Sequence, residues 1–214
     1  MVKIKICGFT RRQDIEDAVE LGINIVGINF FSPSPRFVSP EQAKKLIEGL
    51  PSDVLKVGVF VNPDEKFLLE TSKVLKLDGI QFHGNEPPCL VKNIKEKFSG
   101  EKFIIKAVRV RNDRFIQAMQ IYQPDYFLLD SYDTTLFGGT GRQMDYEYLN
   151  TVNLPWARIF LAGGITPDSI KEVLCRFNPY GIDVASGVEI TPGIKDRDKI
   201  ALLMKNIRKF YDIT

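Results

Sequence analysis

Ionisable side chains close several short β-rich runs in this sequence. Cys7 ends the run 3–7, His83 ends 78–83 and Asp130 ends 125–130. A thiol, an imidazole and a carboxyl group can each exchange a proton with a bound molecule. We therefore interpret these three residues as parts of one reaction site, provided that the fold brings the runs together.

Eight β-rich runs alternate with longer segments of helical spacing. The predicted strands cover 3–7, 25–30, 54–61, 78–83, 102–108, 125–130, 158–162 and 181–186, and the predicted helices cover 12–21, 40–50, 64–75, 86–98, 113–122, 166–177 and 196–211. Ser39, Asn62 and Thr166 each precede a proline and are predicted to cap helices. The alternation predicts a parallel α/β protein, and the count of eight predicts a single (β/α)₈ barrel, or TIM barrel, as one domain over residues 1–214. A doubly wound open sheet is the alternative, but no GxGxxG motif follows a strand.

Side-chain alternation assigns a face to each strand residue. Ile4 and Ile6 are expected to face the helices, which turns Lys5 and Cys7 into the barrel. The same rule predicts inward positions for Gln81, His83, Lys106, Asp130 and Asp183. Charges in a barrel interior are costly unless they are paired or open to a ligand, and residues at the carboxyl ends of the strands usually form the active site. For Lys5 and Lys106, an ion pair with Asp183 explains the pattern as well as a direct role does.

Glycine-rich turns follow the sixth, seventh and eighth strands. They are Gly138-Gly139-Thr140-Gly141, Gly163-Gly164 and Ser186-Gly187. Small residues let backbone N–H groups approach an anion, and the loops after strands seven and eight commonly bind phosphate in this fold. The predicted phosphate-binding residues are Gly139, Gly141, Gly163, Gly164, Ser186 and Gly187.

Composition excludes several classes of function. The 29 basic and 27 acidic residues are interspersed, so nucleic acid is not an expected partner. Three widely spaced cysteines without a CxxC pair favour a reducing compartment, and a single histidine argues against a zinc site. No stretch approaches transmembrane length. We expect a cytoplasmic protein that binds neither membranes nor metal, as a monomer or homodimer.

Taken in order, these motifs resemble those of the phosphoribosylanthranilate isomerases of tryptophan biosynthesis. The resemblance extends over nearly the whole chain. The matching segments are Lys5-Ile6-Cys7-Gly8, Ser34-Pro35-Arg36, Gln81-Phe82-His83-Gly84, Leu128-Leu129-Asp130, Gly138-Gly139-Thr140-Gly141, Leu161-Ala162-Gly163-Gly164, Asp183-Val184-Ala185-Ser186-Gly187-Val188-Glu189 and Lys195-Asp196. One departure is Ala185, where the family frequently has serine.

The resemblance implies a cofactor-free isomerisation of a small phosphorylated substrate, N-(5-phosphoribosyl)anthranilate, by general acid–base catalysis. It implies that Cys7 is the base, that Asp130 is the acid and that Arg36 receives the anthranilate carboxylate. Without the resemblance, the sequence of this turn explains Arg36 equally well as a surface arginine. Asp130 must carry a proton to act as an acid, and Cys7 must be partly thiolate. His83 is expected to orient the substrate, and Asp183 to bind a sugar hydroxyl or the amine, or to pair with a lysine.

Other functions remain open at this point. A related isomerase of another phosphoribosyl amine, as in histidine biosynthesis, would use aspartates at the ends of strands one and five, where this chain has Cys7, Lys106 and Val108. Indole-glycerol-phosphate synthase relies on lysines and a glutamate and carries an N-terminal extension that is absent here. A non-catalytic sensor of phosphorylated ligands could keep the glycine loops and lose the thiol or the carboxyl group.

Overall fold

The eight predicted strands form one closed sheet. A computed structural model describes residues 2–110, 114–131 and 146–213. Within these ranges, eight parallel strands pair in chain order and the last pairs with the first. They are β1 (Lys3–Cys7), β2 (Ile25–Asn29), β3 (Leu55–Phe60), β4 (Gly79–Phe82), β5 (Phe103–Val110), β6 (Tyr126–Ser131), β7 (Ile159–Leu161) and β8 (Gly181–Val184). The predicted barrel is confirmed, and the open doubly wound sheet is wrong.

Helices connect the strands and form the outer layer. They are α1 (Arg12–Glu20), α2 (Pro40–Ile47), α3 (Glu65–Val74), α4 (Pro88–Phe98), α5 (Arg114–Ile121), α6 (Tyr146–Asn150), α7 (Ile170–Arg176) and α8 (Arg197–Ile213). Short 3₁₀ helices lie at Trp156–Arg158 and Ser186–Val188. The sequence did not predict α6, because five residues are too few to show a helical period. No helix in the described ranges combines the length and the apolar character needed to cross a membrane.

An antiparallel hairpin follows β8 and was not predicted either. Its strands are β9 (Glu189–Thr191) and β10 (Ile194–Lys195), separated by Pro192 and Gly193. Gly193 has a φ of +87°, in the left-handed region that favours glycine. Proline followed by glycine between two short runs is a turn signal that could have revealed the hairpin.

Helix starts show which capping predictions were right. Ser39 caps α2 in a complete capping box with Gln42. Asp64, and not Asn62, caps α3 by accepting from the Phe67 N–H. The Thr166 hydroxyl accepts from the Ser169 N–H, and the Ser169 hydroxyl accepts from the Thr166 N–H, as in a capping box. The regular helix α7 begins at Ile170.

Apolar side chains form one layer outside the strands and a second layer inside the barrel. Ile4 and Ile6 of β1 face outward into the main core between strands and helices, as predicted. A smaller layer fills the barrel interior, and it includes Ile25, Val57, Ile105, Leu128 and Phe160. Because this layer closes the interior, polar inward groups are left to collect at the carboxyl ends of the strands.

The face assignment was wrong for β5. Ile105 and Ala107 belong to the interior layer, whereas Lys106 points outward. The ammonium of Lys106 lies 2.9 Å from the Glu86 carboxylate and donates to the Gly84 carbonyl at 2.8 Å. Both faces of β5 carry apolar residues, so alternation alone could not decide which face turned inward.

Candidate functional site

An open cavity lies at the carboxyl ends of the barrel strands and encloses about 680 Å³, including solvent at its mouth. Parallel strands in a closed barrel end at one rim, which brings residues together from distant parts of the chain. The predicted site residues that line it are Cys7, Arg36, His83, Asp130, Gly163, Gly164, Asp183, Ser186 and Gly187. Gly139 and Gly141 lie outside the described residues.

Cys7 and Lys5 lie side by side on the inner face of β1. Their neighbour on β2 is Gly27, which pairs with Cys7 in the sheet. A Cβ atom built on Gly27 would lie 2.9 Å from the Cys7 sulfur and 3.1 Å from the Lys5 nitrogen. The missing side chain of Gly27 therefore leaves the space that the thiol and the ammonium occupy together.

Nearby cations and burial have opposite effects on the pKa of the Cys7 thiol. Burial raises the pKa of the Cys7 thiol above its ordinary value, while the cations of Lys5 and Lys195 lower it in part. Lys195 lies close because its ammonium donates to the Cys7 carbonyl oxygen at 2.5 Å. Lys5 therefore favours the thiolate, but burial outweighs it.

Lys5 and Asp183 form a buried ion pair between β1 and β8. The Lys5 ammonium lies 2.8 Å from Asp183 Oδ1, and these residues are register partners in the sheet. Burial lowers the pKa of Lys5, but Asp183 and the Cys7 thiolate together raise it above its ordinary value. The ion pair predicted as one alternative is therefore present, and Asp183 also lines the cavity.

A chain of hydrogen bonds links β4 to β6. Gln81 is fully buried, and its amide nitrogen lies 2.8 Å from Nδ1 of His83. Nε2 of His83 lies 3.2 Å from Oδ2 of Asp130. The other Asp130 oxygen, Oδ1, accepts from the Ser131 N–H at 2.9 Å. Asp130 is 6% exposed, so its carboxyl group is fixed at the cavity wall and still reachable from the cavity.

Arg36 is not a loose surface arginine. Its Nε and Nη2 atoms lie 2.9 and 2.6 Å from the two carboxylate oxygens of Glu189. Gly8, at φ +82°, allows this approach, since a Cβ there would lie 2.4 Å from Cδ of Arg36. Lys195 also contacts Glu189, at 2.8 Å. Burial raises the pKa of Glu189, but Arg36 and Lys195 together hold it below its ordinary value.

The loops after β7 and β8 pack directly on each other. A Cβ on Gly187 would lie 1.9 Å from the carbonyl oxygen of Ile165, and one on Gly163 would lie 2.8 Å from the Ser131 nitrogen. Glycine is therefore required for the backbone of these loops to come this close. The contact brings Gly163, Gly164, Ser186 and Gly187 to one side of the cavity.

Three residues of this site were missed as functional residues by sequence reasoning. Gln81 was placed inward without a role, and Glu189 and Lys195 were noted only as part of the family resemblance. Glu189 and Lys195 come from the unpredicted hairpin, so their pairing with Arg36 had no basis in the predicted elements. In the part of the chain that the structure covers, no group of histidine, cysteine or acidic residues could hold a metal ion.

Comparison with known proteins agrees with this site. Residues 4–206 match the family model described as N-(5'phosphoribosyl)anthranilate (PRA) isomerase. The N-(5'-phosphoribosyl)anthranilate isomerase of Trichlorobacter lovleyi is 37% identical over 209 residues, covering 98% of this chain and 99% of its own. The crystal structure of the phosphoribosyl anthranilate isomerase of Thermotoga maritima has a TM-score of 0.86 at 33% identity, covering 98% of this chain and all of that one.

A third similar protein was solved with a ligand. It is a phosphoribosyl anthranilate isomerase in complex with reduced 1-(o-carboxyphenylamino)-1-deoxyribulose 5-phosphate. It has a TM-score of 0.81 and 34% identity, covering 98% of this chain and all of that one. The motifs, the closed barrel and the lined cavity therefore lead to one assignment. This chain belongs to the phosphoribosylanthranilate isomerase family.

Proposed function

We propose that Cys7 is the general base and Asp130 the general acid in the isomerisation of N-(5-phosphoribosyl)anthranilate. The chain is an isomerase of the aldose–ketose type, and the reaction is an Amadori rearrangement in tryptophan biosynthesis. Asp130 protonates the furanose ring oxygen, and the ring opens to an iminium ion. Cys7 then removes the proton from sugar C2, and the resulting enolamine tautomerises to 1-(2-carboxyphenylamino)-1-deoxyribulose 5-phosphate.

One observation carries this proposal: the Cys7 thiol and the Asp130 carboxyl group line the same cavity. They project from the ends of β1 and β6, which lie three strands apart around the closed sheet. A donor and an acceptor placed apart on the rim can reach two different atoms of one bound pentose. In this pair, Asp130 can donate a proton and Cys7 can accept one in its thiolate form.

The carboxylate of the anthranilate ring is assigned to Arg36. Arg36 lines the cavity, and Glu189 holds its guanidinium plane in place. A planar guanidinium is well suited to a carboxylate ligand. A fixed orientation reduces the entropy that would be lost when the substrate binds.

The phosphate is assigned to the loops at Gly163-Gly164 and Ser186-Gly187. Their close packing brings the four residues to one side of the cavity, where backbone N–H groups and a hydroxyl could bind an anion. The similar protein solved with a 5-phosphate ligand supports a phosphorylated substrate for this chain as well. Gly139 and Gly141 stay a prediction from sequence. Ala185 offers no hydroxyl where the family often has one.

His83 and Asp183 complete the proposed substrate contacts. His83 bonds to Asp130 and lines the cavity, so it can orient the sugar beside the acid. Asp183 is neutralised by Lys5 and lines the cavity, and its second oxygen can accept from a sugar hydroxyl or the amine. The same Lys5 cation pairs with Asp183 and lowers the pKa of the Cys7 thiol in part.

The remaining expectations concern the setting of the enzyme. We propose that residues 1–214 form one barrel domain that acts in the cytoplasm on a small phosphorylated molecule, without a cofactor and without nucleic acid or membrane partners. Both monomeric and homodimeric states are compatible with the relatives, since monomers have been generated from the dimeric Thermotoga maritima enzyme.

The assignment is tested by adding N-(5-phosphoribosyl)anthranilate to the purified protein and following anthranilate fluorescence. We expect turnover by the wild type, and about 10²- to 10⁴-fold lower turnover for Cys7→Ala and for Asp130→Asn. Both variants should keep the wild-type circular dichroism. The matched control is Cys89→Ala, which removes an exposed thiol and should keep full activity.

The outcomes separate the candidate functions. No fluorescence change with the wild type, together with tight binding of the substrate, would favour a non-catalytic sensor. Turnover with a different phosphoribosyl amine alone would favour the related isomerases. Near-wild-type turnover of either variant would remove that residue from its proposed role while leaving the family assignment untouched.

A further inference from the structure

Gln81 lies beneath the proposed acid and has a contact that the mechanism above does not use. It is fully buried on the inner face of β4, and its amide nitrogen lies 2.8 Å from Nδ1 of His83. An amide nitrogen only donates hydrogen bonds. Nδ1 must therefore accept, and in a neutral imidazole the proton then resides on Nε2.

The orientation of the Gln81 amide is the less costly of its two arrangements. Its oxygen Oε1 is buried and has no partner among the described residues. Reversing the amide would move the nitrogen, with its two N–H donors, into that position. Buried N–H groups without a partner are rarer in proteins than under-satisfied carbonyl oxygens. The amide nitrogen therefore stays with His83.

The proton on Nε2 determines what His83 does to Asp130. Nε2 lies 3.2 Å from Asp130 Oδ2, so an N–H there donates to the carboxyl group. A nitrogen that donates cannot also accept the proton of Asp130. The carboxylate that remains after the proton has passed to the substrate is stabilised by the same Nε2–H.

We propose that Gln81 is a positioning residue that keeps Nδ1 of His83 as an acceptor and its proton on Nε2, so that His83 acts as a hydrogen-bond donor to Asp130. This role rests on the proposed function of Asp130 as the acid. Gln81 does not touch the cavity itself and acts only through the imidazole.

The chain offers a direct measurement, since it contains a single histidine. In uniformly ¹⁵N-labelled protein, a long-range ¹H–¹⁵N spectrum shows just two imidazole nitrogens, both of His83. For the wild type at neutral pH we expect a protonated Nε2 and an unprotonated Nδ1. Gln81→Glu replaces the donor by an acceptor and should put a proton on Nδ1. Gln81→Met removes the bond and should leave a mixture of tautomers.

Turnover should fall when the proton of His83 leaves Nε2. For Gln81→Glu and Gln81→Met we expect kcat to fall by about 10- to 100-fold, the range seen when the group that orients a metal-bound histidine is removed. KM should change little, because Gln81 does not contact the substrate. The matched control is Ile105→Val, which alters a buried register partner of Gln81 and should change neither the histidine spectrum nor kcat.

Three results would overturn the proposal. The first is a wild-type spectrum with the proton on Nδ1 or on both nitrogens. The second is a Gln81→Glu spectrum identical to that of the wild type. The third is a kcat that stays unchanged although the tautomer has moved. The histidine spectrum does not depend on the role of Asp130. An active Asp130→Asn variant would therefore refute the assignment of Asp130 as the acid but not the proton position on His83.

Discussion

The guanidinium of Arg36 and the carboxylate of Glu189 form a two-point contact at the cavity wall. Nε lies 2.9 Å from one carboxylate oxygen and Nη2 lies 2.6 Å from the other, and both side chains are buried. Lys195 bonds to the same carboxylate at 2.8 Å. A single anion is therefore shared by two cations. Arg36, one of these two cations, also lines the cavity.

Substitution of Arg36 by alanine should weaken substrate binding more than turnover. A charge-assisted contact is worth about 1.5–3 kcal/mol, so KM should rise by roughly 10- to 100-fold while kcat changes little. The fold should persist, because Lys195 still neutralises Glu189. Steady-state kinetics with N-(5-phosphoribosyl)anthranilate and a thermal melt check both points.

Arg36→Lys provides the control for charge. It keeps the cation but cannot make the planar two-point contact, so its KM should lie between those of the wild type and the alanine variant. A KM for Arg36→Ala equal to that of the wild type would rule out the carboxylate role.

The pH dependence of the reaction should report the thiol of Cys7. Burial raises the pKa of this thiol above its ordinary value, so the thiol is the main form at neutral pH. The base must be the thiolate, and its fraction grows about tenfold per pH unit below the pKa. We therefore expect the residual kcat/KM of Asp130→Asn, whose amide does not titrate, to rise from neutral to alkaline pH and to level off only above that pKa.

Direct titration of Cys7 uses a chain without the exposed thiols Cys89 and Cys175. In a Cys89→Ala/Cys175→Ala background, the difference in ultraviolet absorbance between this chain and the same chain with Cys7→Ala follows the Cys7 thiolate, because the seven tyrosines are common to both. A thiol that titrates below the ordinary cysteine pKa, or a kcat/KM of Asp130→Asn that falls above neutral pH, would contradict the expectation.

Gly187 tests the phosphate assignment. A Cβ at this position would meet the Ile165 carbonyl oxygen, so Gly187→Ala must displace the loop after β8. We expect KM for the phosphorylated substrate to rise by about tenfold, equivalent to about 1.4 kcal/mol, and inhibition by inorganic phosphate to weaken equally. Gly49→Ala is the control, since nothing lies near its Cβ position and its φ of +68° costs stability alone. Unchanged inhibition by phosphate in Gly187→Ala would disprove the assignment.

The barrel and most of the site could be predicted because their signals are local. Each strand is a short β-rich run, and several of these runs end in a polar residue. The closed parallel sheet then places Cys7, His83, Asp130 and Asp183 at one rim. The ion pair of Lys5 and Asp183 was foreseen as an alternative, since alternation turned both side chains inward.

What could not be predicted depends on contacts between distant segments. The partner of Arg36 is Glu189, which is 153 positions away and lies on a hairpin of two and three residues. The bond between Gln81 and His83 joins residues two apart, yet its meaning depends on Asp130 from another strand. Lys106 was assigned to the wrong face because apolar residues occupy both sides of β5.

Because Lys106 lies outside the barrel interior, its substitution should change the stability of the protein and leave substrate binding unchanged. Its ammonium is buried against Glu86 outside the barrel interior, and neither residue lines the cavity. Removing one partner of a buried ion pair typically costs about 3–5 kcal/mol, because the other charge stays buried. Lys106→Met should therefore lower the free energy of unfolding by about that amount, measured by urea denaturation, while the folded protein keeps its KM. Lys92→Met removes an exposed cation, 3.8 Å from Glu96, and should cost less than about 0.5 kcal/mol. Equal losses for the two variants, or a changed KM for Lys106→Met, would show that the outward position of Lys106 has been misread.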